Sequence, residues 1–164
     1  MSEGSLKAAH LSKIVTSKFW SLTLLIMTAL AAWPAATRAA EPRATLTIKV
    51  VDLRNHKGDL IFGVFKTAAG FPSVKAKAVD WQVKAADADS VTFTVDLPPG
   101  KYSASVLHDE NRNGQIDRNG LGIPVEGYGV TNNPKPRLRA ATFEEARFTL
   151  PAEGAKLTIS LQYF

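Results

Sequence analysis

The chain has 164 residues, with 20 Lys+Arg against 15 Asp+Glu, 45% hydrophobic residues and no cysteine. That length suits one domain, and that composition excludes wholesale disorder. Without cysteine there can be no disulfide, thiol nucleophile, thiolate zinc site or lipid-bearing N-terminal Cys.

Residues 1–39 read as a secretory signal peptide. Lys7, Lys13 and Lys18 are opposed only by Glu3, and an uncharged, mostly apolar run from Phe19 to Trp33 follows. Pro34 ends the run, and small residues continue to Ala40. Basic, apolar, then small is the order that export signals share. The run is fifteen residues, short of the roughly 20 that a helix needs to cross a bilayer. Thr37 and Ala39 fit the −3 and −1 positions of a cut before Ala40. The expected organisation is therefore a signal over 1–39 and a single domain over 40–164, exported to the periplasm or beyond. Membrane contact is expected only through the signal. Its removal leaves 16 basic and 14 acidic residues. The basic excess is then largely a targeting feature, with no clustered basic face of the kind nucleic acid demands.

Period-two alternation runs through the rest of the chain. Leu46, Ile48 and Val50 begin it. The next run, Leu60 to Phe65, is apolar on both parities, which suits a central strand covered on both sides. Val79, Trp81 and Val83 alternate, then Val91, Phe93, Val95 and Leu97, then Tyr102, Ala104 and Val106. After a gap come Ala146, Phe148 and Leu150, and finally Leu157, Ile159, Leu161 and Tyr163. Successive strand side chains point to opposite faces, so each run offers one apolar face to a core. Pro98–Pro99–Gly100 and Pro151–Gly154 punctuate the runs as turns. The predicted fold is all-β: an antiparallel sandwich of about seven strands, immunoglobulin-like or transthyretin-like. Trp81, Phe93, Val95, Val106, Phe148 and Ile159 should be buried. The segment Thr67–Ala78, with Gly70–Phe71–Pro72, should fold an aromatic over a sheet edge.

Residues 108–142 lack alternation. Connections this long in a compact domain usually carry function or mobility. Residues 108–117 read His-Asp-Glu-Asn-Arg-Asn-Gly-Gln-Ile-Asp. Asp109, Asn111, Asn113, Gln115 through its carbonyl, and Asp117 match positions 1, 3, 5, 7 and 9 of a calcium loop, with Gly114 at position 6. Gly120 stands where the bidentate Glu of position 12 belongs, and Glu126 is the nearest substitute. The alternative is a loop whose Asp and Asn side chains bond their own backbone, with Arg112 and Arg118 neutralising the acids. Beyond it, His108, Tyr128, Asn132 and Asn133 could form a binding surface for an envelope protein or glycan. Lys135, Arg137 and Arg139 make a short basic stretch, read as a solvated loop tip.

The run from His108 to Gly114 with Asp117, and Gly122-Ile123-Pro124-Val125-Glu126-Gly127-Tyr128-Gly129 with Asn132-Asn133, resemble a family of exported bacterial proteins, domain of unknown function 2141. Pro99-Gly100-Lys101-Tyr102 and Phe143-Glu144-Glu145-Ala146 share the likeness, which covers about residues 44–163. The resemblance implies a secreted or periplasmic β-sandwich and supplies no active site. The functional expectation is a non-catalytic envelope module that binds calcium through the 109–117 loop. The alternatives are a purely structural domain, or a hydrolase using His108 and nearby carboxylates. The hydrolase lacks a nucleophile elbow or a second histidine at metal-ligand spacing.

Overall fold

The computed structural model describes residues 41–135 and 139–164, so the expected signal peptide and Arg137 lie outside the described residues. Glu41–Phe164 forms one compact unit. Its strands are β1 (Ala44–Val51), β2 (Asp59–Phe65), β3 (Asp80–Ala85), β4 (Val91–Leu97), β5 (Gly100–Asp109), β6 (Gly127–Val130), β7 (Phe148–Leu150) and β8 (Ala155–Ser160), with a short 3-10 turn (Lys75–Lys77) before β3 and one α-helical turn, α1 (Phe143–Ala146), before β7. A three-stranded sheet runs β4-β1-β8. A five-stranded sheet runs β3-β2-β5-β6, with β7 on the first residues of β5.

The two sheets meet through the apolar parities read from the sequence. Leu46, Ile48, Val50, Phe93, Val95 and Ile159 face Leu60, Phe62, Val64, Tyr102, Ala104, Val106 and Phe148 in one core. Phe62 and Phe93 stack across it, with centroids 4.8 Å apart. Tyr102 is buried there, and its hydroxyl donates to the Pro98 carbonyl at 2.9 Å. Without that acceptor the buried hydroxyl would be costly.

The doubly apolar β2 has a physical cause. Its second face, Ile61 and Phe65, is buried under a smaller outer layer. Phe71 meets Phe65 edge-on at 5.5 Å and Phe143 at 5.9 Å. Ser105 and Ser103 hydroxyls donate to the Pro72 and Phe143 carbonyls at 2.6 and 2.7 Å. The Thr67–Ala78 segment thus folds its aromatic over the sheet, as expected.

Three expectations need correction. There are eight strands, because Gly127–Val130 pairs with β5 despite its weak alternation. The sandwich is not wholly antiparallel: β1 and β8 pair in parallel, Leu46 opposite Ala155 through Val51 opposite Ser160. Alternation defines faces but not direction, so it could not distinguish these cases. Trp81 is only half-buried, and Val79 and Val83 are exposed. Trp81 pairs with Gly63, so it shares the outer face of β2. The inward parity of β3 is polar instead. Gln82 and Lys84 donate to the Thr94 and Thr92 carbonyls of β4 at 3.1 and 2.6 Å, closing one edge of the sandwich.

Candidate functional site

The long loop leaves β5 at Asp109 and re-enters the sheet at Gly127. It is built almost entirely from side chains bonding backbone. Asp109 is buried, and its carboxylate accepts the N–H groups of Asn113 at 3.1 Å and Gly114 at 2.7 Å. Gly114 sits at φ +77°, where a side chain would be strained, so the loop turns there as expected. The Asn111 and Asn113 carbonyl oxygens accept the N–H groups two residues on, from Asn113 and Gln115. Their amides both donate to the Asp117 carboxylate, at 2.6 and 2.9 Å. Glu126 is buried and accepts the Glu110 N–H at 2.9 Å and the Asp117 N–H at 3.0 Å. One carboxylate thereby clamps both ends of the loop.

Asp109, Asn111, Asn113, Asp117 and Glu126 therefore belong to one hydrogen-bonded network. Gln115 contributes its N–H to it, and its side chain is exposed. The arginines turn away. Arg112 pairs with Asp59 at 3.1 Å, and Arg118 donates to the Gly122 carbonyl at 2.8 Å. Among the described residues no cationic side chain pairs with Asp109, Asp117 or Glu126. Nor, among the described residues, do three or more Asp, Glu or His side chains stand together as a ready-made ligand set. The acids are linked through intervening N–H groups and amides, not by direct convergence.

Glu110 points to the other side of the loop. Burial pushes its carboxyl up, but hydrogen bonds from Asn55 and Arg54 outweigh this and hold it below its usual range. His108 lies beneath, with 0% exposure. The Lys57 carbonyl, 2.8 Å from Nε2, can only accept, so Nε2 carries the proton. In the neutral ring the Tyr163 hydroxyl then donates to Nδ1 at 2.7 Å while accepting the Arg54 N–H at 3.2 Å. Burial raises the Tyr163 pKa. Both ring nitrogens are engaged inside the fold, and no nucleophile, base and orienting group form a constellation around His108 among the described residues. Gly127 is required here, since a Cβ on it would stand 2.3 Å from the Tyr163 ring.

The other expected surface residues lie apart from the acid network. Tyr128 is half-buried, stacks on Phe164 at 5.8 Å and exchanges two backbone hydrogen bonds with Gln162. Asn132 and Asn133 both have positive φ. The Asn132 amide donates to the Glu145 and Arg147 carbonyls, and the Asn133 side chain bonds Thr158 and Ser160 of β8. Arg139 pairs with Glu145 at 2.8 Å. That bond and those from Thr142 hold the Glu145 carboxyl well below its usual range.

Residues 48–159 match the model of a family described as an uncharacterized protein conserved in bacteria, DUF2141. The chain belongs to this DUF2141 family. No curated protein and no solved structure matches it. The matched segment spans the whole loop, the acid network and most of both sheets.

Sequence reasoning missed Arg54, Asn55 and Tyr163 as parts of this end of the molecule. Tyr163 carried a signal, since it lies on the apolar parity of the last run. Arg54 and Asn55 carried none, because the turn that holds them meets the loop only in three dimensions.

Proposed function

We propose that this DUF2141 protein is an exported, non-catalytic β module whose 109–117 loop binds calcium. The observation that supports the reading is the charge arrangement. Asp109 and Glu126 are buried, Asp117 is half-buried, and all three share one network with no cationic side chain among the described residues, while Arg112 and Arg118 face elsewhere. Like charges so placed repel, and a divalent cation relieves the repulsion. Asn111 and Asn113 suit such an ion once their amides turn, because each offers a carbonyl oxygen. The Gln115 carbonyl and water would complete the six to eight oxygens that calcium takes. With no acid at position 12, affinity falls in the range of extracellular modules, about 10⁻⁴–10⁻³ M.

Export follows from the 1–39 reading, and protein recovered from the cell envelope should lack that segment by intact mass. The immunoglobulin-like or transthyretin-like assignment draws support from the Tyr102 hydroxyl bond to Pro98 at the start of a long strand. An envelope protein or glycan is the expected partner.

Calcium titration followed by melting temperature tests the site. A ligand that binds only the folded state raises stability by mass action. The melting temperature should rise in calcium and fall back with chelator. Asp109→Ala with Asp117→Ala should remove that rise and leave the sandwich folded. A calcium response that survives the double substitution would place the site elsewhere.

A further inference from the structure

The long loop contains the chain's two Asn-Gly pairs, Asn113-Gly114 and Asn119-Gly120. Such a pair is open to one intramolecular reaction. The Gly nitrogen, with no side chain beside it to hinder a close approach, attacks the Asn side-chain carbon Cγ. The amide –NH2 leaves as ammonia, carrying the proton that the Gly nitrogen gives up, and a five-membered succinimide closes. Water then opens the ring at either carbonyl, leaving aspartate or isoaspartate. Water is the only co-reactant, and nothing is oxidised or reduced.

The fold treats the two pairs differently. At the first, the Gly114 N–H donates to the Asp109 carboxylate at 2.7 Å, and a negative charge there opposes loss of the proton. The Asn113 amide is tied as well: its –NH2 donates to Asp117 at 2.9 Å and its oxygen accepts one N–H, from Gln115, at 2.8 Å. The second pair lies at the exposed tip of a small hairpin, closed by bonds from Asn119 N–H to Ile123 O and from Gly122 N–H to Asn119 O, each at 2.9 Å. Here the Gly120 N–H takes no acceptor among the described residues.

The Asn119 side-chain oxygen accepts two backbone N–H groups, from Leu121 at 2.9 Å and Ile123 at 3.1 Å. That oxygen becomes negative when Cγ is attacked, and a pair of N–H donors is the arrangement that stabilises such an oxyanion. The bond to Leu121 also closes a ring that contains both Asn119 Cγ and Gly120 N, which keeps target and attacker together. The Arg118 guanidinium, on the Gly122 carbonyl of the same tip at 2.8 Å, favours loss of the Gly120 proton. We infer that Asn119-Gly120 is a self-modifying site, converted through the succinimide by the geometry of the folded hairpin, while Asn113-Gly114 is protected by Asp109. The aspartate product retains an acceptor for the Leu121 and Ile123 N–H groups, now charge-assisted. Isoaspartate adds one atom to the main chain between residues 119 and 120 and disturbs the hairpin pairing. Either product adds one negative charge to the tip.

Peptide mapping by mass spectrometry tests this on the purified protein, held in mildly alkaline buffer with and without urea. Trypsin cuts after Arg112, Arg118 and Arg137, which places the two sites in separate peptides, 113–118 and 119–137. Fragmentation then locates the succinimide and the acid products. In the folded protein Asn119 should convert about tenfold or more faster than Asn113. In urea the two rates should converge, because both sites become the same open Asn-Gly pair. Gly120→Ala, for which the space around Gly120 is open, should suppress conversion at Asn119 and leave the Asn113 rate unchanged. Equal rates in the folded protein would overturn the inference. So would a gap that persists in urea, since residue order and not the fold would then set it. Faster conversion of Asn119 in urea than in the folded protein would show that the hairpin protects this site, and would overturn it as well.

Discussion

The core between the sheets and the loop at their end use the same alternation in opposite senses. In β1 and β4 the apolar parity turns inward and the polar parity meets water. In the segment entering β6, Glu126 turns inward and Ile123 and Val125 turn outward. The core can be sealed by apolar contact alone, which is non-directional and tolerant. The loop is sealed by hydrogen bonds, each of which needs a particular donor and a particular acceptor. Side-chain pattern therefore suffices to locate a core, while a polar loop is specified pair by pair.

The largest expected effect lies in the core. Phe93→Ala removes a fully buried ring stacked on Phe62 and should cost about 3–5 kcal/mol, read by denaturant unfolding. A loss below 1 kcal/mol would show that the two sheets do not depend on that contact. In the loop, Glu126→Ala strands the Glu110 and Asp117 N–H groups, at about 1–3 kcal/mol for each that stays buried without a partner. An unchanged midpoint would mean the loop ends are not clamped by this carboxylate. Gly127→Ala joins the two regions, because the new methyl meets the Tyr163 ring that reaches His108. Overpacking of this kind should cost about 1–3 kcal/mol, and a neutral result would show that Tyr163 can move aside.

Acid should weaken the polar regions before it touches the apolar core. The carboxyls of Glu110 and Glu145 are held below their usual range in the folded protein. Stability linked to them is complete above the unfolded carboxylate value of about 4.3 and is lost as pH falls through the lowered folded values. Melting temperature should therefore drop between pH 6 and pH 3, and Glu110→Gln should flatten part of that drop. An equal melting temperature at both pH values would contradict the assigned bonds. The smallest effect belongs to Leu121→Ser, which should leave stability within about 0.5 kcal/mol because the side chain is almost fully exposed. A larger loss would mean that the tip packs against the protein.

Much of this molecule was legible from residue order. Each apolar parity in β1, β4, β5, β7 and β8 named its core face, and the doubly apolar Leu60–Phe65 run foretold covering layers on both sides of β2. The Asp109–Asp117 spacing with Gly114 marked the turn, and the loop's side chains bond its own backbone, as the alternative to a calcium loop expected. Local rules explain these successes: strand geometry repeats every two residues, and Asx-type bonds span two to five. The Trp81 face was misread because an edge strand needs polar side chains on its inward parity to close the sandwich, and that role exists only relative to β4.

Sequence alone determined where the strands lie, which face of most of them is apolar, and which loop concentrates oxygen-bearing side chains. Tertiary structure decided what each polar group bonds. It set β1 parallel to β8, gave Glu126 the two loop-end N–H groups, sent Arg112 to Asp59, and placed Tyr163 against His108 across 55 residues of chain. The physical reason is range. Side-chain direction within a strand is set by neighbouring residues, whereas the partner of a charge or a hydrogen-bond donor is whatever folding brings within about 3 Å.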